Sequence, residues 1–268
     1  MMTANEAGLP AINPQDETLS PYFRVMRVVR TEQVTPRLRR LVLGGAPLDG
    51  FFFECPPDSL APHVHLEIPP PGITAPLWPR LRGDSSLRVR KASGPNASIE
   101  RVYSLRWVDH ASAEVAIDVV LHGDGPGASF GARAVAGDPC GVWWPHGRRI
   151  PDADWFLLGA DQTGLPGLAW ILERLPADRQ GRAFVEIPHP DEKQPLVGPQ
   201  DLKVVWLLPD DPHTLCEHML STQPPAGTSP FIWFGGEASP ARAVRRHVRQ
   251  VLRFEPDAFE IVNYWRMI

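Results

Sequence analysis

Cysteine is scarce in this chain. Three occur in 268 residues, Cys55, Cys140 and Cys216, and no two form a C-x-x-C pair. That excludes a four-cysteine zinc or iron–sulfur centre and fits a reducing, cytoplasmic compartment. No window holds the run of about 18 apolar residues that a membrane helix needs, so no membrane span is expected. A basic start followed by an apolar core is also missing, so no signal peptide is expected. Positive charge is not in excess: 27 Lys and Arg stand against 31 Asp and Glu, for a formal net charge of -4. A general nucleic-acid binder is argued against on that ground. No P-loop, no paired carboxylates and no Ser/His/Asp arrangement stand out. Proline is the opposite case, with 31 residues, many in apparent loops that it stiffens. The apolar content of 43% and charged content of 22% are those of a soluble globular protein. The length suits two ordinary domains or one large one.

Residues 1–20 are polar and read as a loose arm. Residues 21–150 then show short apolar runs between turn signals. These predict strands at Phe23–Val29, Leu38–Leu43, His63–Ile68, Arg101–Val108, Val115–Leu121 and Gly141–Trp144, with one short helix near Ala128–Val135. Val115, Ile117, Val119 and Leu121 alternate with Ala116, Asp118 and Val120, as in a half-buried strand. The pattern is that of a small antiparallel β-barrel. Residues 70–98 read as an extended Pro/Gly-rich loop carrying Arg80, Arg82, Arg88, Arg90 and Lys91. From Pro151 the character changes. Apolar runs at Trp155–Gly159, Ala183–Ile187, Val204–Leu208 and Phe231–Phe234 alternate with helical spacing. Leu165, Leu168, Ala169, Leu172 and Leu175 make one helix face. Val244, Val248, Val251 and Leu252 make another, with Arg242, Arg245, Arg246, Arg249 and Arg253 over the rest. Strands alternating with helices predict a parallel sheet over 151–268, with ligands at the carboxyl ends of its strands.

Four segments carry candidate chemistry. Arg101-Val102-Tyr103-Ser104-Leu105-Arg106 places a cation, a flat ring and a small hydroxyl within four residues of one strand. A dinucleotide flavin needs those groups, for its pyrophosphate, its ring face and its ring edge. Leu121 to Ser129 runs through His122, Gly123, Asp124, Gly125, Pro126, Gly127 and Ala128 into the short helix, and its backbone N–H groups suit a pyrophosphate. It lies in the barrel half and not in a βαβ unit, so it is not a Rossmann fingerprint. Leu158 to Pro166 is a strand–turn–helix junction, at which Asp161 and Thr163 face a phosphate or nicotinamide amide or else simply cap the helix. Trp233 to Pro240 is a second junction. There Gly235 and Gly236 would admit a flat ring beside Glu237, or Ser239 merely begins a helix. His63 and His65 share one strand face without a third metal ligand in evidence, and no metal is expected.

Taken in register, these pieces resemble the siderophore-interacting proteins, the FAD-dependent NAD(P)H ferric-siderophore reductases. The resemblance runs from Phe23 to Arg266. It is carried by Arg24-Val25, Val34 to Arg40, His63-Val64-His65-Leu66 with Pro69, R-x-Y-S-x-R at 101–106, Asp118 to Gly123, Gly125-Pro126, Gly137-Asp138, Leu157 to Pro166, Trp233 to Ala238 and Tyr264-Trp265-Arg266. It implies an N-terminal FAD-binding barrel and a C-terminal, ferredoxin-reductase-like NAD(P)H domain. FAD would be held by Arg101, Tyr103 and Ser104, together with Asp118, His122, Gly123, Gly125, Ala128 and Ser129. Asp161, Thr163, Gly236, Glu237 and Ala238 would line the nicotinamide side, with Trp265 near the flavin. His65, Arg245, Arg246 and Arg266 are the substrate-side candidates.

The implied activity passes electrons from NADPH or NADH through FAD to a ferric siderophore and releases Fe(II), in a monomer. Two alternatives stand beside it, a general NAD(P)H:flavin or ferredoxin-type reductase and a flavin- or siderophore-binding protein without turnover. The chain departs from the family pattern at four places. Gly127-Ala128-Ser129-Phe130 replaces Ala-Ser-x-Trp. Gln162 stands where a glutamate is usual, His65 where a basic residue is common, and Pro209 where an arginine often supports a 2′-phosphate.

Overall fold

The structure, a computed structural model, describes residues 20, 22–48, 56–82 and 85–267, with side chains described outside 81–90. The expected arm, apart from Ser20, lies outside the described residues, as do Cys55 and the side chains of Arg82, Arg88 and Arg90. The chain divides into two compact units. One comprises residues 1–34, 38–57 and 62–147; the other comprises 35–37, 58–61 and 148–268.

The first unit is a closed antiparallel barrel. Its strands are β1 (Phe23–Thr35), β2 (Leu38–Gly44), β3 (His63–Ile68), β6 (Ile99–Asp109), β7 (Glu114–Val120) and β8 (Pro139–Trp143), in the order β1-β2-β7-β6-β3-β8. Val64, Leu66, Leu105, Val115, Ile117 and Val119 fill it, each 2% exposed or less. β7 departs from the half-buried expectation, because Ala116 and Asp118 on its other face are buried too. Helix α1 (Pro126–Arg133) packs Phe130 onto the barrel. Within the expected loop 70–98 the chain pairs with itself as a hairpin, β4 (Arg80–Arg82) with β5 (Ser85–Arg90). Its charged sequence, so unlike a core strand, hid it.

The second unit holds a parallel sheet in the order β11-β10-β9-β12-β13: β9 (Trp155–Asp161), β10 (Gln180–Glu186), β11 (Leu202–Leu207), β12 (Pro230–Glu237) and β13 (Phe259–Trp265). β9 is apolar on both faces because both are covered. Phe156 and Leu158 pack with α2 (Leu165–Arg174), whereas Trp155 and Leu157 pack with α3 (Leu215–Ser221) and α4 (Ala238–Gln250). The chain after β9 turns to β10 on one side, and β12 returns on the other. The sheet therefore switches direction between β9 and β12, which is where open α/β sheets leave a crevice for ligands. Two elements escaped the sequence reading, α3 and β13. Helix α4 stops at Gln250, so Val251, expected on its apolar face, is 65% exposed.

Candidate functional site

In the barrel, β6 sets Arg101 opposite Leu66, Tyr103 opposite Val64 and Ser104 opposite His63. Arg101 and Tyr103 share a face, two residues apart, while buried Ser104 faces the other way. The Tyr103 ring passes so close to α1 that a Cβ on Gly127 would lie 1.9 Å from its hydroxyl oxygen. Only glycine fits there, and this is a close approach that the motif alone did not reveal. Burial pushes the Tyr103 phenol up to about 12, so it stays protonated at physiological pH. Helix α1 opens with Gly125 as N-cap, Pro126 in its first turn, no side-chain cap and no acidic residue. Its first N–H groups and the positive end of its dipole thus meet no carboxylate from the helix itself, which suits an anion. Ser129 bonds through its hydroxyl to the Asp124 carbonyl at 3.4 Å. His122, Gly123 and Gly125 form the exposed loop before the helix, and Gly123 has φ 56°. Exposed Arg101 donates only to the neighbouring Glu100 carbonyl, at 2.7 Å, among its described bonds. An open helix end, an exposed guanidinium and a ring pressed on glycine fit a pyrophosphate-bearing flavin. Asp118 is placed differently. It is buried and takes both Arg40 nitrogens, Nε at 2.7 Å and Nη2 at 2.9 Å, which ties β2 to β7.

His65 lines a second feature of the same unit, an open cleft of about 350 Å³ walled by Tyr22, Glu67, Glu100, Trp143, Trp144 and His146 among others. His146 was missed in sequence. It pairs across the backbone with His63, 2.9 Å in both directions, and the His63, His65 and His146 ring centroids lie 5.9–6.3 Å apart. No group of three possible ligands is placed to hold a metal among the described residues. His65 Nδ1 lies 2.6 Å from Glu100, whose other oxygen meets Lys91 Nζ at 2.7 Å. Lys91 and His65 together hold the Glu100 carboxyl below its usual range. Burial raises that of Glu67 and, with His65 and His146 close by, lowers His63 to about 4. The cleft is thus mixed in charge and aromatic, not a purely cationic rim.

In the second unit, Asp161 is the hub of the crevice between β9 and β12. Its Oδ1 accepts Thr163 N at 2.8 Å, Thr163 Oγ1 at 2.5 Å and Gly164 N at 3.2 Å. Its Oδ2 accepts Glu237 N at 2.9 Å and Trp265 Nε1 at 2.8 Å. Asp161 closes the turn before α2 but does not cap the helix itself, whose N-cap is Gly164 without a side-chain bond, and it also joins the ends of β9, β12 and β13. The β12–β13 register shifts between Gly236 and Glu237, so Glu237 stands opposite Trp265. Such a bulge re-aims side chains. Glu237 itself accepts Ser239 N at 2.5 Å and starts α4 at Ala238. Gly164 is pressed on the carbonyl of Gly235, where a Cβ would lie 2.1 Å from the oxygen. Asp161, Thr163, Gly236, Glu237, Ala238 and Trp265 are therefore brought together. Arg245 and Arg246 are not among them: with Arg242, Arg249 and Gln250 they line a separate groove on α4, and Arg245 Nη2 bonds to the Ile261 carbonyl. Arg266 is exposed beside Trp265.

Residues 27–149 match the model of the siderophore-interacting FAD-binding domain, and residues 153–267 match that of the siderophore-interacting protein. An uncharacterized protein of Mycobacterium tuberculosis is 32% identical over 264 residues, spanning 91% of this chain and 90% of that protein. The chain belongs to the siderophore-interacting protein family. Among siderophore-interacting relatives, the ferric vibriobactin reductase ViuB of Vibrio cholerae is 27% identical over 91% of this chain and 90% of its own. The crystal structure of a siderophore utilization protein from T. fusca superposes with a TM-score of 0.73 at 29% identity, covering 91% of this chain and 92% of that one. At the level of fold alone, the family's architecture extends to a ferredoxin NADP+ reductase from Neisseria gonorrhoeae, with TM-score 0.59 and 12% identity over 91% of this chain and 99% of that one. No helix among the described residues is long and apolar enough to cross a membrane.

Proposed function

We propose that this protein is an oxidoreductase that carries electrons from NADPH or NADH, through bound FAD, to a ferric siderophore, so that iron leaves as Fe(II). The observation that carries this reading is the barrel cradle, where Tyr103 lies against Gly127 beside the uncapped start of α1 and exposed Arg101. It supports FAD binding in a chain whose family and whose relative ViuB, a ferric vibriobactin reductase, point to iron. FAD, when bound, supplies the exchange between a two-electron donor and a one-electron acceptor. The chain's own residues supply position. Arg101 and the N–H groups of Gly127 and Ala128 hold the pyrophosphate. Tyr103 offers an uncharged flat surface, and its fixed place against α1 removes rotational freedom. Asp161 locks the turn, the start of α4 and the Trp265 ring into one platform for the nicotinamide. The cleft at His65 and His146, with its Trp144 and Tyr22 walls, receives the chelate. Because that cleft contains Glu67 and Glu100 as well as Lys91, capture there depends on shape and stacking more than on net charge.

The test is spectroscopic. Purified protein loaded with FAD is made anaerobic and mixed with NADPH or NADH; the flavin absorbance should bleach, and a ferric siderophore should restore it while a ferrous trap reports Fe(II). Failure to retain FAD, or a flavin that neither nicotinamide bleaches, would refute the reading.

A further inference from the structure

Gln162 occupies the position where the family's pattern has a glutamate, and its surroundings account for the amide. Its side chain turns away from the Asp161 hub and donates through Nε2 to Glu192 Oε2 at 2.6 Å. Gln162 is 8% exposed and Glu192 1%. Glu192 sits in the 3-10 turn Pro190–Glu192 that follows β10. It also accepts the Thr35 hydroxyl and, at 3.0 Å on Oε1, the Arg37 backbone N–H. All four residues belong to the second compact unit. These donors to Glu192 among the described residues are all neutral: the Thr35 hydroxyl, the Arg37 backbone N–H and the Gln162 amide. A buried carboxyl held only by neutral donors is expensive to desolvate, and an apolar side chain of similar size would fill the space at less cost. Its use here needs a reason. The turn Asp161–Gly164 supplies one. Asp161 grips that turn from one side through Thr163 and Gly164. Glu192 grips it from the other through Gln162, the residue between.

We propose that Glu192 is a positioning residue for the nicotinamide step, acting through Gln162 to hold the turn that carries Asp161. This rests on the reading of that turn as the nicotinamide side. Glu192 touches neither cofactor. Its removal lets Gln162 withdraw, the turn loosens, and Asp161 no longer places Glu237 N and Trp265 together. A glutamate at 162 would set two carboxyl groups within hydrogen-bonding distance, with like-charge repulsion in place of a bond.

The experiment separates the two half-reactions by stopped flow on FAD-loaded protein. In Glu192→Ala and Gln162→Glu, flavin reduction by saturating NADPH or NADH should slow about tenfold or more. FAD content and the reoxidation of chemically reduced flavin by a ferric chelate should match wild type. The exchanged pair Gln162→Glu with Glu192→Gln restores one carboxyl against one amide, and should recover reduction to within about threefold of wild type. If Glu192→Ala does not fold, Gln162→Glu and the exchanged pair still decide the matter. Wild-type reduction rates in Gln162→Glu, an exchanged pair no faster than that single variant, or a parallel loss in both half-reactions would overturn the proposal. Wild-type flavin that no nicotinamide reduces would instead overturn the functional reading, and this inference with it.

Discussion

Gly127 shows how one missing methyl group can shape the cradle we propose for FAD. Its absent Cβ is what lets the Tyr103 hydroxyl lie against α1. In Gly127→Ala, ring or helix must shift, and such overpacking costs about 1–3 kcal/mol. That displacement falls on the surface we propose for FAD, so FAD affinity should drop about tenfold or more, measured by fluorescence titration of the apoprotein. Unchanged affinity would mean that Tyr103 does not contact the flavin. At this scale the sequence was informative about the placement of neighbouring side chains. Arg101, Tyr103 and Ser104 sit within four residues, and strand alternation orients them without knowledge of any neighbour. Glu192 and His146 were not legible, because each acquires meaning only from residues far along the chain: Thr35 for Glu192, and His63 for His146. Gln162 was visible as a departure from the family pattern, but the reason for it was not.

Among the elements, β2 and β7 are tied by Arg40 and Asp118, which gives Asp118 a structural part beside the FAD contact that the family resemblance implies. Asp118 is 1% exposed at its side chain, and both its oxygens are taken by one guanidinium. Breaking a buried pair from one side leaves the other charge uncompensated, at about 3–5 kcal/mol. Arg40 retains 15% exposure and its Nη1 lies 4.0 Å from Glu32, so its charge keeps a partner and Asp118→Ala falls below that range, at about 1–3 kcal/mol. The expected result is a denaturant midpoint shifted well down, with FAD still bound tightly in the native baseline. A variant of wild-type stability that had lost FAD would instead make Asp118 a direct ligand. Element prediction succeeded where an apolar run or a helical spacing was long, as in β7, β9 and α2. It missed α3, although Thr214 and Glu217 spell the capping box that the structure contains, with Glu217 N to Thr214 Oγ1 at 3.2 Å and Thr214 N to Glu217 Oε2 at 2.7 Å. Seven residues with only Leu215 and Met219 buried give too short an apolar pattern to register. β13 was missed for a related reason: it is an edge strand whose burial comes from β12 and α4, not from its own alternation.

For the molecule as a whole, the histidine cleft makes acid stability predictable in sign. His63 is lowered to about 4, chiefly by burial and then by His65 and His146. Its unfolded value is near 6.5. Below pH 6.5 the unfolded chain therefore takes up a proton that the native protein resists. The native advantage is complete above about pH 6.5 and is lost progressively as pH falls toward 4. Glu67 works in the opposite sense, since burial raises its carboxyl and so favours the native state where that group is protonated. Glu100, lowered by Lys91 and His65, adds stability above the ordinary carboxylate range that disappears below it. Wild type and a His63 variant share these carboxylate effects, so the difference between the two curves isolates the imidazole. Melting temperatures across pH 7.5 to 4.5 should be flat at the upper end for wild type and then fall. In His63→Gln, which cannot take up that proton, the fall below pH 6.5 should be shallower, so the gap between the two proteins widens continuously down to pH 4.5. Parallel curves for the two proteins would show that His63 is as easily protonated in the folded molecule as in the unfolded chain. His63 would then be a solvated ring, not one that the barrel around it keeps neutral.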